Sequence, residues 1–252
     1  MQKILTVANY KTLKGRSFGY ETFGIHFAPA NLSGYEVCHK RTKGCTDSCL
    51  NLAGMGVMVQ PQRIEKTKTF FEQTEEFLAN LMEEIRKAIK TAAKKGLQAV
   101  FRLNLTSDVE WEKIKIDGKN IFEHFPSVQF YDYTKDFNRL SLNIPNYHLT
   151  FSRAETKSSQ MKAFAALAKG FNSAFVFRVK KDQPLPSEYQ GFKVIDGDEN
   201  DLRFLDEKGI IVGLRAKGPA KKDLTGFVIN VWSNSFFFYW FGTFFSQENK
   251  LT

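Results

Sequence analysis

An α/β domain built on a largely parallel sheet is the fold class this sequence predicts, and three observations predict it. From residue 99 onward, short β-rich runs alternate with polar loops and helical segments, a rhythm that calls for crossover connections between parallel strands. The length, 252 residues, suits one large domain. Hydrophobic residues make up 42% of the chain, ample for such a core, and no apolar run is long enough to span a bilayer.

The elements follow in order. Residues 1–33 are punctuated by Gly15, Gly19, Gly24 and Pro29 and read as short strands and turns, with apolar pieces at 3–7 and 22–27. His26, in the second piece, reads as a packed residue. Beyond a cysteine-bearing stretch, Gly54 and Gly56 make a flexible loop over 51–60. Residues 64–95 set Phe70, Phe77, Leu81, Ile85, Ala88, Ile89 and Ala92 on one helix face, and Gly96 ends it. A strand over 99–105 leads to the loop Thr106, Ser107, Asp108 and a helical start over 109–114, where Ser107 and Glu110 form a capping box. A helical piece over 120–125 stops at Pro126, and a strand over 128–133 is followed by Thr134, Lys135 and Asp136. The strand 147–151, the loop 152–155 and the helix 157–169 come next, then a strand over 173–179. Pro184 and Pro186 mark 180–191 as a connection. Five acidic side chains fall within 193–206, where 196–198 reads as a turn and Asp201 and Arg203 are expected to pair or meet a ligand. A strand over 210–214 and a basic loop over 217–222 complete the α/β domain, which spans 1–230. The tail, 231–252, carries a ten-residue aromatic run at 236–245 to which no role is assigned.

Cys38, Cys45 and Cys49 are the only cysteines, spaced C-x6-C-x3-C. Three thiolates on one short loop can converge on one metal centre, while an odd number argues against a closed disulfide framework. Three also leave one position of a four-site cluster open for substrate. Structural zinc sites favour close ligand pairs; here only Cys45 and Cys49 make one, and His39 or His26 would have to complete the set. The commonest radical S-adenosylmethionine signature is C-x3-C-x2-C, from which this spacing also departs. The open position and the βα context favour a 4Fe-4S iron–sulfur cluster; zinc and unligated structural thiols are the remaining readings. In parallel α/β folds ligands sit at the carboxyl ends of strands, so the polar loops that carry Asp108, Lys135, Ser152 and Arg153 are expected to gather on one rim.

A net charge of +9 suggests a polyanionic partner, nucleic acid among them. Residues 1–10 lack the apolar core of a signal peptide, which with reduced cysteines predicts a cytoplasmic location.

The chain resembles the phage "gene product eighty-eight" domain family. The likeness rests on the cysteine loop, RLNLTSD at 102–108, FPSVQFYDYTK at 125–135, PNYHLTFS at 145–152, DGDENDLRFLD at 196–206, VGLRAKG at 212–218 and TGFV at 225–228. The family has Tyr-Ala after its last cysteine, whereas this chain has Leu50 and Asn51, and its Gly-Asp-Phe is replaced at 106–109. The resemblance implies a phage protein in the host cytoplasm, folded as a partial (βα) barrel with mostly parallel strands, like a reduced radical S-adenosylmethionine enzyme. Cys38, Cys45 and Cys49 would then hold three irons, and Asp108, Lys135, Ser152 and Arg153 would orient S-adenosylmethionine. No catalytic residue is nominated; the implied substrate is a nucleotide or nucleic acid. The alternative is a non-catalytic, metal-stabilised protein that binds nucleic acid or a host protein.

Overall fold

The computed structural model describes residues 3–7, 13–52 and 58–231. Its strands are β1 (Tyr20–Gly24), β2 (Gln98–Arg102), β3 (Lys115–Ile116), β4 (Lys119–Asn120), β5 (Gln129–Thr134), β6 (Tyr147–Ser152), β7 (Ser173–Phe177), β8 (Glu188–Tyr189), β9 (Phe192–Asp196), β10 (Ile211–Arg215) and β11 (Val228–Ile229). Nine of them form one sheet, ordered β1-β2-β5-β6-β7-β10-β9-β8 with β11 on β7. Within it only β8 and β9 run antiparallel. The parallel α/β sheet expected from the strand–helix rhythm is therefore present. Its path has two ends, at β1 and β8, so among the described residues the sheet is open and not a closed barrel.

The helices are α1 (Ala30–Ser33), α2 (Lys43–Asp47), α3 (Gln60–Glu72), α4 (Thr74–Ala93), α5 (Ile121–His124) and α6 (Lys157–Ala168). From β1 to β7 the order advances in one direction, so right-handed crossovers put the intervening helices on a single face. There Phe77, Leu81, Ile85, Ala163 and Leu167 join Phe101, Phe130, Phe151 and Phe175 in the main core. The opposite face has its own small cluster, Val100, Tyr131 and Leu202 with Tyr20 and Phe204 against it. The 3-10 turn Arg203–Leu205 packs on it, and Gly15 of the 3-10 helix Lys14–Phe18 comes up against Leu202.

Two local expectations are corrected. The helix over 64–95 is two helices, broken at Gln73, whose φ of −136° and ψ of 49° are not helical. Residues 70 and 77 of an unbroken helix would stand about 10 Å apart along its axis. The break brings their rings to 5.2 Å, both against Phe27. Ser107 and Glu110 form no capping box, and 109–114 holds only the 3-10 turn Trp111–Lys113. Ser107 Oγ donates instead to Asn104 Oδ1, at 2.7 Å. The capping box in this region belongs to Asn120 and Glu123. The short strands β8 and β9 were not anticipated, the first lying inside the expected connection. The Gly54–Gly56 stretch and the aromatic run lie outside the described residues.

Candidate functional site

The carboxyl ends of β2, β5 and β6 carry the polar loops, and Asn104 shapes the first of them. Its Oδ1 accepts from Ser107 Oγ, Val109 N and Trp111 Nε1, while its backbone N–H donates to Asp132 Oδ1 at 2.8 Å. That turn aims Asp108 back at the sheet. Asp108 Oδ2 accepts from Lys135 N at 2.8 Å and Thr134 Oγ1 at 3.2 Å, and Oδ1 from Arg139 Nη1 at 2.6 Å. Arg139 is held from the other side by both oxygens of Glu112. Lys135 Nζ donates to Ser152 Oγ at 3.0 Å and lies 5.3 Å from the Phe227 ring centroid.

At Ser152 the sheet forks: β7 pairs with β6 as far as Ala174 and with β11 from Val176 onward. Arg153 bridges the fork by donating to Gly226 O and Phe227 O, both at 3.1 Å from Nη1. Asp108, Lys135, Ser152 and Arg153 thus share one rim, as their loop positions predict. Asp108 and Arg153 make these bonds within the protein, linking one loop to the next.

The cysteine loop is laid across this rim. Val37 O accepts from Asp108 N at 2.7 Å, fixing the loop beside β2. Thr42 caps α2, the turn that carries Cys45, and its hydroxyl donates to Glu155 Oε2 at 2.6 Å. Glu155 Oε1 accepts from Gly44 N at 2.9 Å. A negative carboxylate there meets the exposed N–H groups of a helical turn. Burial first, opposed by these bonds, sets the Glu155 carboxyl; the net direction is below its usual range. Sequence reasoning placed Glu155 in the loop but missed this task; an acidic residue three positions after a strand gave no signal of its distant partner. After Cys49, the buried Asn51 accepts from Arg63 and from Gln60 Nε2.

None of the three thiols is in a disulfide, and each is half-buried. Burial pushes the Cys38 thiol up, and the charges of Asp108, Cys45, Cys49 and Glu36 push it the same way. Burial also raises Cys49, with Cys45 adding to it and Asn51 N–H, Arg63 and Lys135 opposing. Asp108 and Glu155 tie the loop that bears all three cysteines to the rim. Among the described residues, however, no three His, Cys, Asp or Glu side chains are gathered to hold one metal ion. His26 is held neutral, its pKa pushed down to about 3 by burial and then by Arg63, Lys66 and Arg102. His39 instead lines a cavity of about 190 Å³ with Lys40, Asp108, Lys113 and Arg139.

An open α/β sheet with a cysteine-bearing loop across the carboxyl ends of its parallel strands defines the class of protein. The chain belongs to the phage gene product 88 family, whose model matches residues 3–231. No curated protein and no solved structure matches it. Among the described residues no helix is long and apolar enough to cross a membrane.

Proposed function

We propose that the protein holds an iron–sulfur cluster on Cys38, Cys45 and Cys49, and that the surrounding rim is its working surface. The observation that carries this reading is the tethering of the loop that bears all three cysteines to the strand ends, where Val37 O accepts from Asp108 N at 2.7 Å and Glu155 Oε1 accepts from Gly44 N at 2.9 Å. Among the described residues no trio is pregathered for one ion, so loading must draw the sulfurs inward. A single zinc ion would need them about 4 Å apart; a four-iron cluster takes each thiolate on a separate iron and demands less convergence. Arg63 and Lys135 oppose the rise at Cys49, but burial wins, so its thiol, like that of Cys38, sits above its ordinary value. Cys38 and Cys49 lose protons on loading, so affinity falls as pH is lowered.

Such a cluster supplies one-electron chemistry when bound, and with S-adenosylmethionine it supplies radical chemistry. Lys135 and Ser152 would meet the polar groups of that molecule, while Asp108 and Arg153 hold their loops in place. Anaerobic purification with iron, sulfide and zinc counts tests the reading. About four irons per chain, lost on Cys45→Ser or Cys49→Ser, support it; one zinc per chain with no visible absorption band sinks it. A reduced-cluster spectrum that shifts on addition of S-adenosylmethionine supports the enzyme, and an indifferent one leaves a non-catalytic metal protein.

A further inference from the structure

The sheet face that carries Val100, Tyr131 and Leu202 buries a group of polar side-chain atoms that lack hydrogen-bond partners among the described residues. Strand alternation places Arg102 of β2, Tyr133 of β5 and His148 and Thr150 of β6 on that face, with Val100 and Tyr131. Tyr133 stands directly beside Thr150, and Tyr131 beside His148. The Arg102 guanidinium lies 4.6 Å from the Tyr133 ring centroid. Arg203, fully buried, comes to the same face from the 3-10 turn Arg203–Leu205, where the ring of its neighbour Phe204 lies 5.4 Å from that of Tyr131.

Five buried atoms here find no hydrogen-bond partner among the described residues: Arg102 Nε, Tyr133 OH, His148 Nε2, Thr150 Oγ1 and Arg203 Nη1. Native proteins leave few such groups, and they do not ordinarily collect on adjoining strands. The charges nearby are already matched. Arg102 Nη1 donates to Asp201 Oδ2 at 2.8 Å, and Arg203 Nε pairs with Asp206 Oδ2 at 3.3 Å. Arg203 Nη2 is taken by Asn200 O. A cation entering here would face two guanidinium groups, and an anion two carboxylates. What remains is a set of N–H and O–H donors in a neutral setting beside aromatic rings.

We propose that this face binds an uncharged small molecule whose carbonyl or hydroxyl oxygens accept hydrogen bonds from Arg102, Tyr133, Thr150 and Arg203, with His148 as the fifth polar contact. The site runs toward the rim, because Lys135 and Ser152 follow Tyr133 and Thr150 on the same strands, two residues further along. It stands whether or not the cysteines hold metal.

The chain has four histidines, so ring-nitrogen NMR spectra of the full-length protein can be assigned with His148→Gln. Uridine, D-ribose and acetamide serve as separate uncharged, oxygen-bearing probes. At least one is expected to move the His148 ring signals while those of His39 and His124 stay put. Thr150→Val and Tyr133→Phe each delete an unpaired hydroxyl. Each is expected to raise the Tm of the free protein and to weaken the probe about tenfold. A His148 ring that none of the three probes moves, or probe affinity unaltered in both variants, overturns the proposal. Cys45→Ser is expected to keep probe binding intact, which separates this test from that of the metal reading.

Discussion

A Cβ placed on Gly44 would collide with Thr225 Oγ1 and come within 2.8 Å of the Glu155 carboxyl carbon. Both neighbours are fixed: Thr225 Oγ1 donates to Asp223 Oδ1 at 2.6 Å, and Glu155 holds Thr42 and Gly44. Gly44→Ala must therefore push the cysteine turn off the rim. We expect a loss of about 1–3 kcal/mol, read by urea unfolding, together with a drop in metal bound per chain. Unchanged metal content in a destabilised Gly44→Ala protein would show that the seat of α2 does not matter to the thiols. Residues like these mark the limit of what a sequence discloses. Cys38, Cys45 and Cys49 can be nominated from the sequence because their type and spacing carry meaning alone. Asn104, Arg139 and Glu155 were not, because their importance lies in partners that only folding brings near.

At the scale of elements, strand identity was legible and boundaries less so. Alternation and β-branched or aromatic content located β2, β5, β6, β7 and β10 to within a few residues. Helix continuity was not legible, since the periodicity of 64–95 survives the break at Gln73. The loops between strands owe their shape to buried ion pairs. Arg139 is 4% exposed and is shared by Asp108 and Glu112, which joins the loop after β2 to the loop after β5. Asp108→Ala removes one of its two carboxylates and also frees Lys135 N and Thr134 Oγ1. Breaking one side of such a pair costs about 3 kcal/mol. We expect that loss in urea unfolding, with Glu112→Ala alike. A cost below about 1 kcal/mol in both would mean that the pairs behave as solvent-exposed contacts.

For the molecule as a whole, charge gives two expectations. The first concerns the surplus of +9, from 36 basic against 27 acidic residues. If a polyanion is the partner, affinity for single-stranded DNA or RNA should fall steeply and linearly on a log–log plot against salt. Binding that stays flat across ionic strength removes nucleic acid as the electrostatic partner.

The second concerns acid stability, where groups of opposite sign compete. Burial, aided by Arg203 and Lys208, pushes His148 down to about 4 from 6.5, and His26 goes down to about 3. Burial drives Asp132 the other way, up to about 7 from 3.8, against the pull of Arg102, Asn104 N–H, Arg139 and the Tyr147 hydroxyl. A histidine with a depressed folded pKa contributes stability above 6.5 that is lost as pH falls, because the unfolded chain binds a proton the native state refuses. A carboxyl with a raised folded pKa does the reverse: its contribution is complete below 3.8 and is lost as pH rises through 7. Between about pH 5 and 6 each group changes the slope of stability by one proton, about 1.4 kcal/mol per pH unit. His148→Gln should therefore flatten the acid-side decline by that amount relative to the parent chain. Asp132→Asn should steepen the decline by the same amount, since it removes the group that takes up a proton on the native side. Urea midpoints of both variants, measured across this window beside the parent chain, give the two differences directly. A His148→Gln protein whose slope matches the parent would mean that His148 protonates while folded, with an acceptor or solvent at the ring that the packed sheet face does not provide.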